Sequence, residues 1–446
     1  METSGPTAED EGAELHGYRA SLVDYCGDPS DGHTPRYVDD GLLVVAAGRV
    51  VAAGDFSSLR PRYKELQVRD YRGKLIMPGF IDAHVHYPQL PMIASHGEQL
   101  LQWLEGYAFP AERKLADVGY AGDLARDFVA ELLRNGTTSA VVLCSVHAAS
   151  VDALAEQALA HGMRLVLGKV CMDRHVPADM CDSADSTYED NAALIARYHR
   201  RGRLHYALTP RFAASCSEGQ MRALAQLHRD YPDTYVHSHL AENRAEIAWI
   251  RRLFPQRASY TDVYAHYGLV GPRSIFAHGV HLDDGELSCL ATAQATIAFC
   301  PSSNLFLGSG LFPFRRVRRA GVKVALASDV GAGTSLNMMQ NLCDAYKIMQ
   351  LGGDSLGVHE ALYAITLGAA RCLGLDDLIG NFEPGKEADF VVLDSASTPL
   401  LRLRCASGSS LEDRLFALLV LADDRAIAAT YVAGQLRHQI QPQVQP

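Results

Sequence analysis

Pro78-Gly-Phe-Ile-Asp-Ala-His84-Val-His86 closes an apolar stretch with two histidines one residue apart. On a β-strand, residues two apart point to the same face. Both imidazoles can then reach one metal ion, and neutral imidazole is a common ligand for zinc and its neighbours. A His-x-His pair alone is weak ground, because same-face histidines are often surface or satisfied core. The rest of the chain decides, by supplying further ligand types where a barrel metal site needs them.

Working outward, apolar or β-branched runs recur at residues 75–85, 138–143, 164–168, 205–209, 234–239, 274–278, 296–300 and 322–329. Helical patterns separate most of them, at 120–135, 151–161, 218–230 and 242–253. Eight strands interleaved with helices read as an α/β fold, a (β/α)8 TIM-like barrel with buried parallel strands. An open doubly wound sheet is the runner-up, disfavoured because no Gly-rich phosphate turn follows the first strand. Short β-rich pieces flank this region at 17–25, 41–53, 65–74, 388–394 and 426–437. The chain is therefore expected to form a barrel over residues 77–379. A small β-sandwich domain is expected from the two flanking segments, 17–76 and 380–438. The polar ends, 1–16 and 439–446, read as disordered tails.

The length of 446 residues suits a barrel of about 250 residues plus a smaller module. Hydrophobic content of 48% and charged content of 21% fit a soluble globular protein. Net charge is −11, from 41 basic and 52 acidic residues. That argues against a nucleic-acid partner, which wants a basic patch, but not against a single nucleobase. Ten cysteines with no CxxC spacing read as reduced thiols, so the expected location is cytoplasmic. The first eighteen residues carry no Lys or Arg and no apolar core, unlike a signal peptide. The longest strongly apolar run, 415–422, is short of a membrane span, so no membrane partner is expected.

In such a barrel the active site lies at the C-terminal ends of the strands. The first predicted strand ends in His84 and His86, the fifth in His239, the sixth in His278 and the eighth in Asp329. Random placement would scatter these residues, and their coincidence points to a metal site. His237 is a rival, two residues from His239, but it would sit deeper and reads as an interior polar residue. Nitrogen and oxygen ligands without a thiolate suit zinc, with iron or manganese left open. Zinc with an open coordination position lowers the pKa of a water there to about 7. Glu242 lies three residues past His239. A carboxylate there can shuttle protons, or simply serve a helix N-terminus, and geometry alone favours neither.

Several segments resemble the guanine deaminase family of the amidohydrolase superfamily. They are residues 78–89, Leu104-Glu-Gly-Tyr-Ala-Phe-Pro-Ala-Glu112, Thr209-Pro-Arg-Phe212 and His239-Leu-Ala-Glu-Asn243. Cys300-Pro-Ser-Ser-Asn-Leu-Phe-Leu-Gly-Ser-Gly310, Ala327-Ser-Asp-Val-Gly-Ala-Gly-Thr334 and residues 380–389 extend the likeness over most of the chain. The resemblance implies one zinc per chain on His84, His86, His239 and Asp329, with His278 beside it or weakly ligating. Binuclear relatives carry a lysine on the fourth strand, which residues 205–209 lack; Lys169 after the third strand is the remaining exception.

The resemblance further implies hydrolysis of guanine at C2 to xanthine and ammonia. Glu242 would move the proton, and Asp329 and His278 would orient the attacking oxygen. Gln89 and Arg211 would read the base edge, and Phe212 would form an apolar wall. Guanine presents acceptors at O6 and N7, which suit guanidinium and amide donors. Trp103 reads as ordinary core. A homodimer is the family expectation.

Three other motifs fail. His96-Gly-Glu98 lacks the Pro-Cys-x-x-Cys partner of unrelated zinc deaminases. Residues 380–386 fit a phosphate loop except that Glu387 replaces Ser/Thr. Asn135-Gly-Thr137 is a sequon without an extracellular context. Rival functions are a related amidohydrolase acting on another amino-purine, 8-oxoguanine, pterin or triazine, and a non-catalytic scaffold on the same fold.

Overall fold

A computed structural model describes residues 14–96, 99–407 and 410–440. The expected tails at 1–13 and 441–446, and Gly97-Glu98 of the His-x-Glu motif, lie outside the described residues. Two tail expectations meet structure: His16 opens the first strand and Gln439 closes the last. Gln439 pairs with Ala429, and this ladder orders a residue whose polar neighbourhood suggests none.

The chain divides into two compact units. One comprises Asp82–Glu131 and Ser139–Leu356, and the other Met1–Ile81, Leu132–Thr138 and Gly357–Pro446. The barrel strands run Phe80–His86, Thr137–Leu143, Arg164–Gly168, His205–Pro210, Tyr235–Leu240, Ser274–His278, Thr296–Phe299 and Lys323–Leu326. They are hydrogen-bonded in that order, and the resolved ladders are parallel. The chain just past the eighth strand returns to the first: Asp329 N–H donates to His84 O at 2.9 Å, and His86 N–H to Val330 O at 2.9 Å. These bonds close the ring that parallel strands need to avoid open edges.

Both faces of such strands are covered, so they read as continuous apolar runs. Phe80–His86 and Thr137–Leu143 are buried at every position. Gly168 is needed where the third strand meets the fourth: a Cβ there would fall 1.9 Å from Ala207 O. Helices return the chain between strands, each started by local chemistry. Ser217 accepts the Gln220 N–H ahead of Glu218–Asp230, and Asn243 and Glu246 form a capping box ahead of Arg244–Leu253.

Three predicted boundaries shift. The run 75–85 splits at Gly79, because residues through Pro78 belong to the strand Gln67–Pro78 of the small sheet. The helix expected from 242 begins at Arg244, since Asn243 is its cap. The eighth strand ends at Leu326, and Asp329 lies beyond it in a left-handed conformation, φ 51°.

In the other unit, strands from both chain ends join one seven-stranded mixed sheet. Hydrogen bonding runs through all seven, and the small β domain expected from the two flanking segments is formed by them. Gln67–Pro78 is its middle strand, parallel to His16–Asp24 and antiparallel to Phe390–Leu393. Tyr18, Phe390 and Tyr431 pack an aromatic core, with ring centroids 4.3–4.9 Å apart. Among the described residues, no helix is long and apolar enough to cross a membrane.

Candidate active site

The period-two alternation of the first barrel strand sends His84 and His86 to one face, with their Nε2 atoms 3.2 Å apart. His239 Nε2, from the fifth strand, lies 3.2 Å from His86 Nε2. Asp329 Oδ1 stands 3.1 Å from His84 Nε2 and 3.3 Å from His86 Nε2. His278, closing the sixth strand, is 3.7 Å from Asp329 Oδ2. Ligand atoms of His84, His239, His278 and Asp329 fall within 4.8 Å of one another, and His86 shares their centre through the contacts above. The result is a His/His/His/Asp metal-binding cluster.

The outer ring nitrogens are held from behind, as in metal sites where outer partners fix ring orientation. His84 Nδ1 meets His237 Nε2 at 2.7 Å, and His237 is a fully buried polar residue. His239 Nδ1 donates to Arg211 O at 2.5 Å, and His278 Nδ1 faces Asn304 Oδ1 at 2.9 Å. The protonation chemistry also fits a metal. Burial lowers His84 to about 4 and holds His239 well below the usual imidazole range, so both rings are neutral. Burial opposes ionisation of Asp329, but the surrounding His84, His86 and His278 prevail and keep its carboxyl far below the usual range. Neutral imidazoles with an ionised carboxylate are what a divalent ion requires. Lys169 stands apart: both oxygens of Asp182 are 2.7 Å from its Nζ.

Glu242 is 2% exposed. Its Oε1 accepts the Ser309 hydroxyl at 3.0 Å, and its Oε2 lies 3.4 Å from His278 Nε2. Burial raises Glu242 to about 7, against His278 and Ser309 and with Glu246 and Asp329. Burial also opposes a proton on His278, but the Glu242 and Asp329 carboxylates outweigh it and raise that group. The helix-terminus role belongs to another residue. Glu246 accepts the N–H groups of Glu242 and Asn243 at 3.0 and 3.2 Å. The Glu242 carboxylate is thereby left to the cluster. His278 and Ala241 share with Asp329 a left-handed backbone, at φ 74° and 49°. Each costs about 1–2 kcal/mol outside glycine, a cost the closed barrel offsets.

A partly open pocket adjoins the cluster, and Gln89, Trp103, Arg211, Phe212 and Glu242 line it. Arg211 is 2% exposed and Glu112 0%, and they form a buried ion pair, Nη1 to Oε2 at 2.6 Å. Gln89 Nε2 donates to the other Glu112 oxygen at 2.7 Å, and Gln89 Oε1 accepts the Gly331 N–H at 3.2 Å. Phe212 stands edge-on to Trp249, with centroids 5.9 Å apart. Trp103 is core and more: it packs in an apolar cluster with Leu100 and Phe109 and also walls the pocket.

The structure thus brings together His84, His86, Gln89, Arg211, Phe212, His239, Glu242, His278 and Asp329, and leaves Lys169 outside. It adds Glu112, Asn304 and Ser309, which sat inside quoted segments without a role, and Glu246. The signal available for Glu112 was a lone acid closing the apolar Phe109-Pro-Ala stretch; its partners were not legible.

A closed barrel whose strand ends carry such a cluster defines a metal-dependent hydrolase, and the amidohydrolase family matches residues 75–437. The chain belongs to that family. Within it, the chain is 50% identical over 405 residues to the guanine deaminase of Escherichia coli strain K12, covering 91% of this chain and 92% of that one. The crystal structure of guanine deaminase from Bradyrhizobium japonicum is 34% identical, with a TM-score of 0.93 over 96% of this chain and all of the other. A guanine deaminase from C. acetobutylicum, solved with guanine bound in its active site, is 29% identical, with a TM-score of 0.86 over 95% and 100%.

Proposed function

We propose that this chain is a zinc-dependent guanine deaminase, converting guanine and water to xanthine and ammonia. The observation that carries the reading is one pocket, beside the metal-binding cluster, lined by the Glu242 carboxyl and by Gln89 and Arg211. The similarity to guanine deaminases, one of them holding guanine, supports the substrate.

His84, His86, His239 and Asp329 would hold the metal, with His278 beside it, and a zinc there supplies Lewis-acid activation of water at neutral pH. The protein's own groups do the rest. Gln89 and Arg211 donate to the O6 and N7 acceptors of the base, and Phe212 and Trp103 flank it. Glu242 takes a proton from the attacking water and returns it to the ring nitrogen beside C2. His278 and Asp329 orient the incoming oxygen. The C2–N bond then breaks, the second water proton goes to the departing amine, and ammonia leaves. A carboxylate with a pKa near 7 suits both halves of that transfer.

The test is incubation of purified protein with guanine and assay of xanthine and ammonia, beside 8-oxoguanine, a pterin and a triazine. Faster turnover of any of these than of guanine overturns the substrate assignment. The ten free cysteines suit a reducing compartment, so the proposal includes a cytoplasmic location. It also includes the homodimer that the family resemblance implies, which sedimentation checks.

A further inference from the structure

We infer that Glu112 sets the selectivity of this pocket, by fixing Gln89 and Arg211 as hydrogen-bond donors; the inference rests on the guanine-deaminase reading. Glu112 is wholly buried and stands behind these two side chains instead of lining the pocket itself. It is therefore a positioning residue. Its Oε2 accepts from Arg211 at 2.6 Å and its Oε1 from Gln89 Nε2 at 2.7 Å.

The consequence is sharpest at Gln89. A carboxamide has a donor end and an acceptor end and can present either. An ionised carboxylate only accepts, so Glu112 draws the NH2 end toward itself. The Gly331 N–H, donating at 3.2 Å, holds the carbonyl end the other way. Both ends of the amide are then oriented: Gln89 keeps a second N–H to donate, and its carbonyl oxygen, with one of two lone pairs used, is turned to Gly331. Arg211 has donors only. Gly331 cannot be exchanged freely, since a Cβ there would lie 2.7 Å from Gln89 O.

This edge of the pocket therefore suits a purine that presents acceptors. 2,6-Diaminopurine keeps the ring and the C2 amine of guanine but places an amine donor at C6. Donor then faces donor in a desolvated site, which a polar pocket rejects strongly. With glutamine at position 112, either amide end is available to Gln89, and the rejection weakens.

The experiment measures kcat and KM for guanine and for 2,6-diaminopurine on the metal-loaded full chain, as wild type and as Glu112→Gln, with metal content checked. Glu112→Gln is expected to raise the KM for guanine more than it lowers kcat. It is also expected to shrink the guanine preference in kcat/KM by about tenfold or more. A merely structural glutamate would lower both substrates by the same factor, and an unchanged ratio overturns the inference. Should Glu112→Gln fail to fold, Glu112→Asp keeps the charge that Arg211 needs but is one methylene too short to hold both partners. It should cut the ratio by about threefold or more, and an unchanged ratio there overturns the inference equally. Wild-type protein that leaves guanine untouched overturns the proposed function and this inference with it. Guanine turnover with a constant ratio overturns only the role of Glu112.

Discussion

Glu242→Gln separates a catalyst from a barrel that merely binds metal. The substitution keeps the shape of the side chain and its acceptor for the Ser309 hydroxyl, now at 3.0 Å. It removes the capacity to take a proton. Loss of a general acid–base group lowers rates by about 10²–10⁴-fold, which at 1.36 kcal/mol per tenfold is about 2.7–5.4 kcal/mol of transition-state stabilisation. Folding should register little of this. The cap of the helix Arg244–Leu253 is made by Asn243 and Glu246, so the 0.5–2 kcal/mol typical of a lost cap (about 1 at the centre) is not at stake. Nor is Glu242 among the four grouped ligand candidates, so metal should stay. Xanthine formation, metal content and thermal midpoint measured on one preparation decide the matter. A kcat within a few-fold of wild type, or loss of metal in step with loss of rate, would refute the assignment.

The cluster should hold one divalent ion per chain, as elemental analysis will read; two tightly bound ions, or none in an active sample, contradicts the four-residue centre. Arg211→Met should lower kcat/KM for guanine by the about 1.5–3 kcal/mol of a charge-assisted bond, roughly 10- to 150-fold. It also strands the buried Glu112 carboxylate, so the thermal midpoint should fall; near-normal kcat/KM would remove Arg211 from the base edge. His205 governs a pH effect on stability. Burial, then Arg164, lowers it to about 4, so below pH 6.5 the unfolded chain binds a proton that the folded chain refuses. Stability is therefore lost as pH falls from about 6.5 toward 4, by about 1 kcal/mol at pH 5 after allowance for partial exposure. Urea midpoints of wild type and His205→Gln should diverge across that window; parallel curves would show that His205 is not the source.

The barrel was legible because its signals are local. A strand buried on both faces shows a continuous apolar run, and Ala140–Leu143 and Ile275–Ala277 are such runs inside strands buried at every position. The positions of His84, His86, His239 and His278 followed from strand ends plus the two-residue alternation. Local signals failed at Pro78-Gly79, where one apolar run serves two sheets, and at Glu242, where capping and catalysis predict the same residue type. In the structure it is Glu246 that accepts the N–H groups at the cap.

The sequence by itself determined the order of strands and helices, the ligand types and the rim of the barrel on which they stand. Spacing within a strand or a helical turn fixes those, whatever the rest of the chain does. Tertiary structure alone decided which distant groups meet. His237 backs His84 across 153 residues, and Glu112 reaches Arg211 across 99. Such contacts depend on strand register and on closure of the eighth strand onto the first. Those follow from packing the whole ring of buried side chains at once, and no local stretch of sequence encodes them.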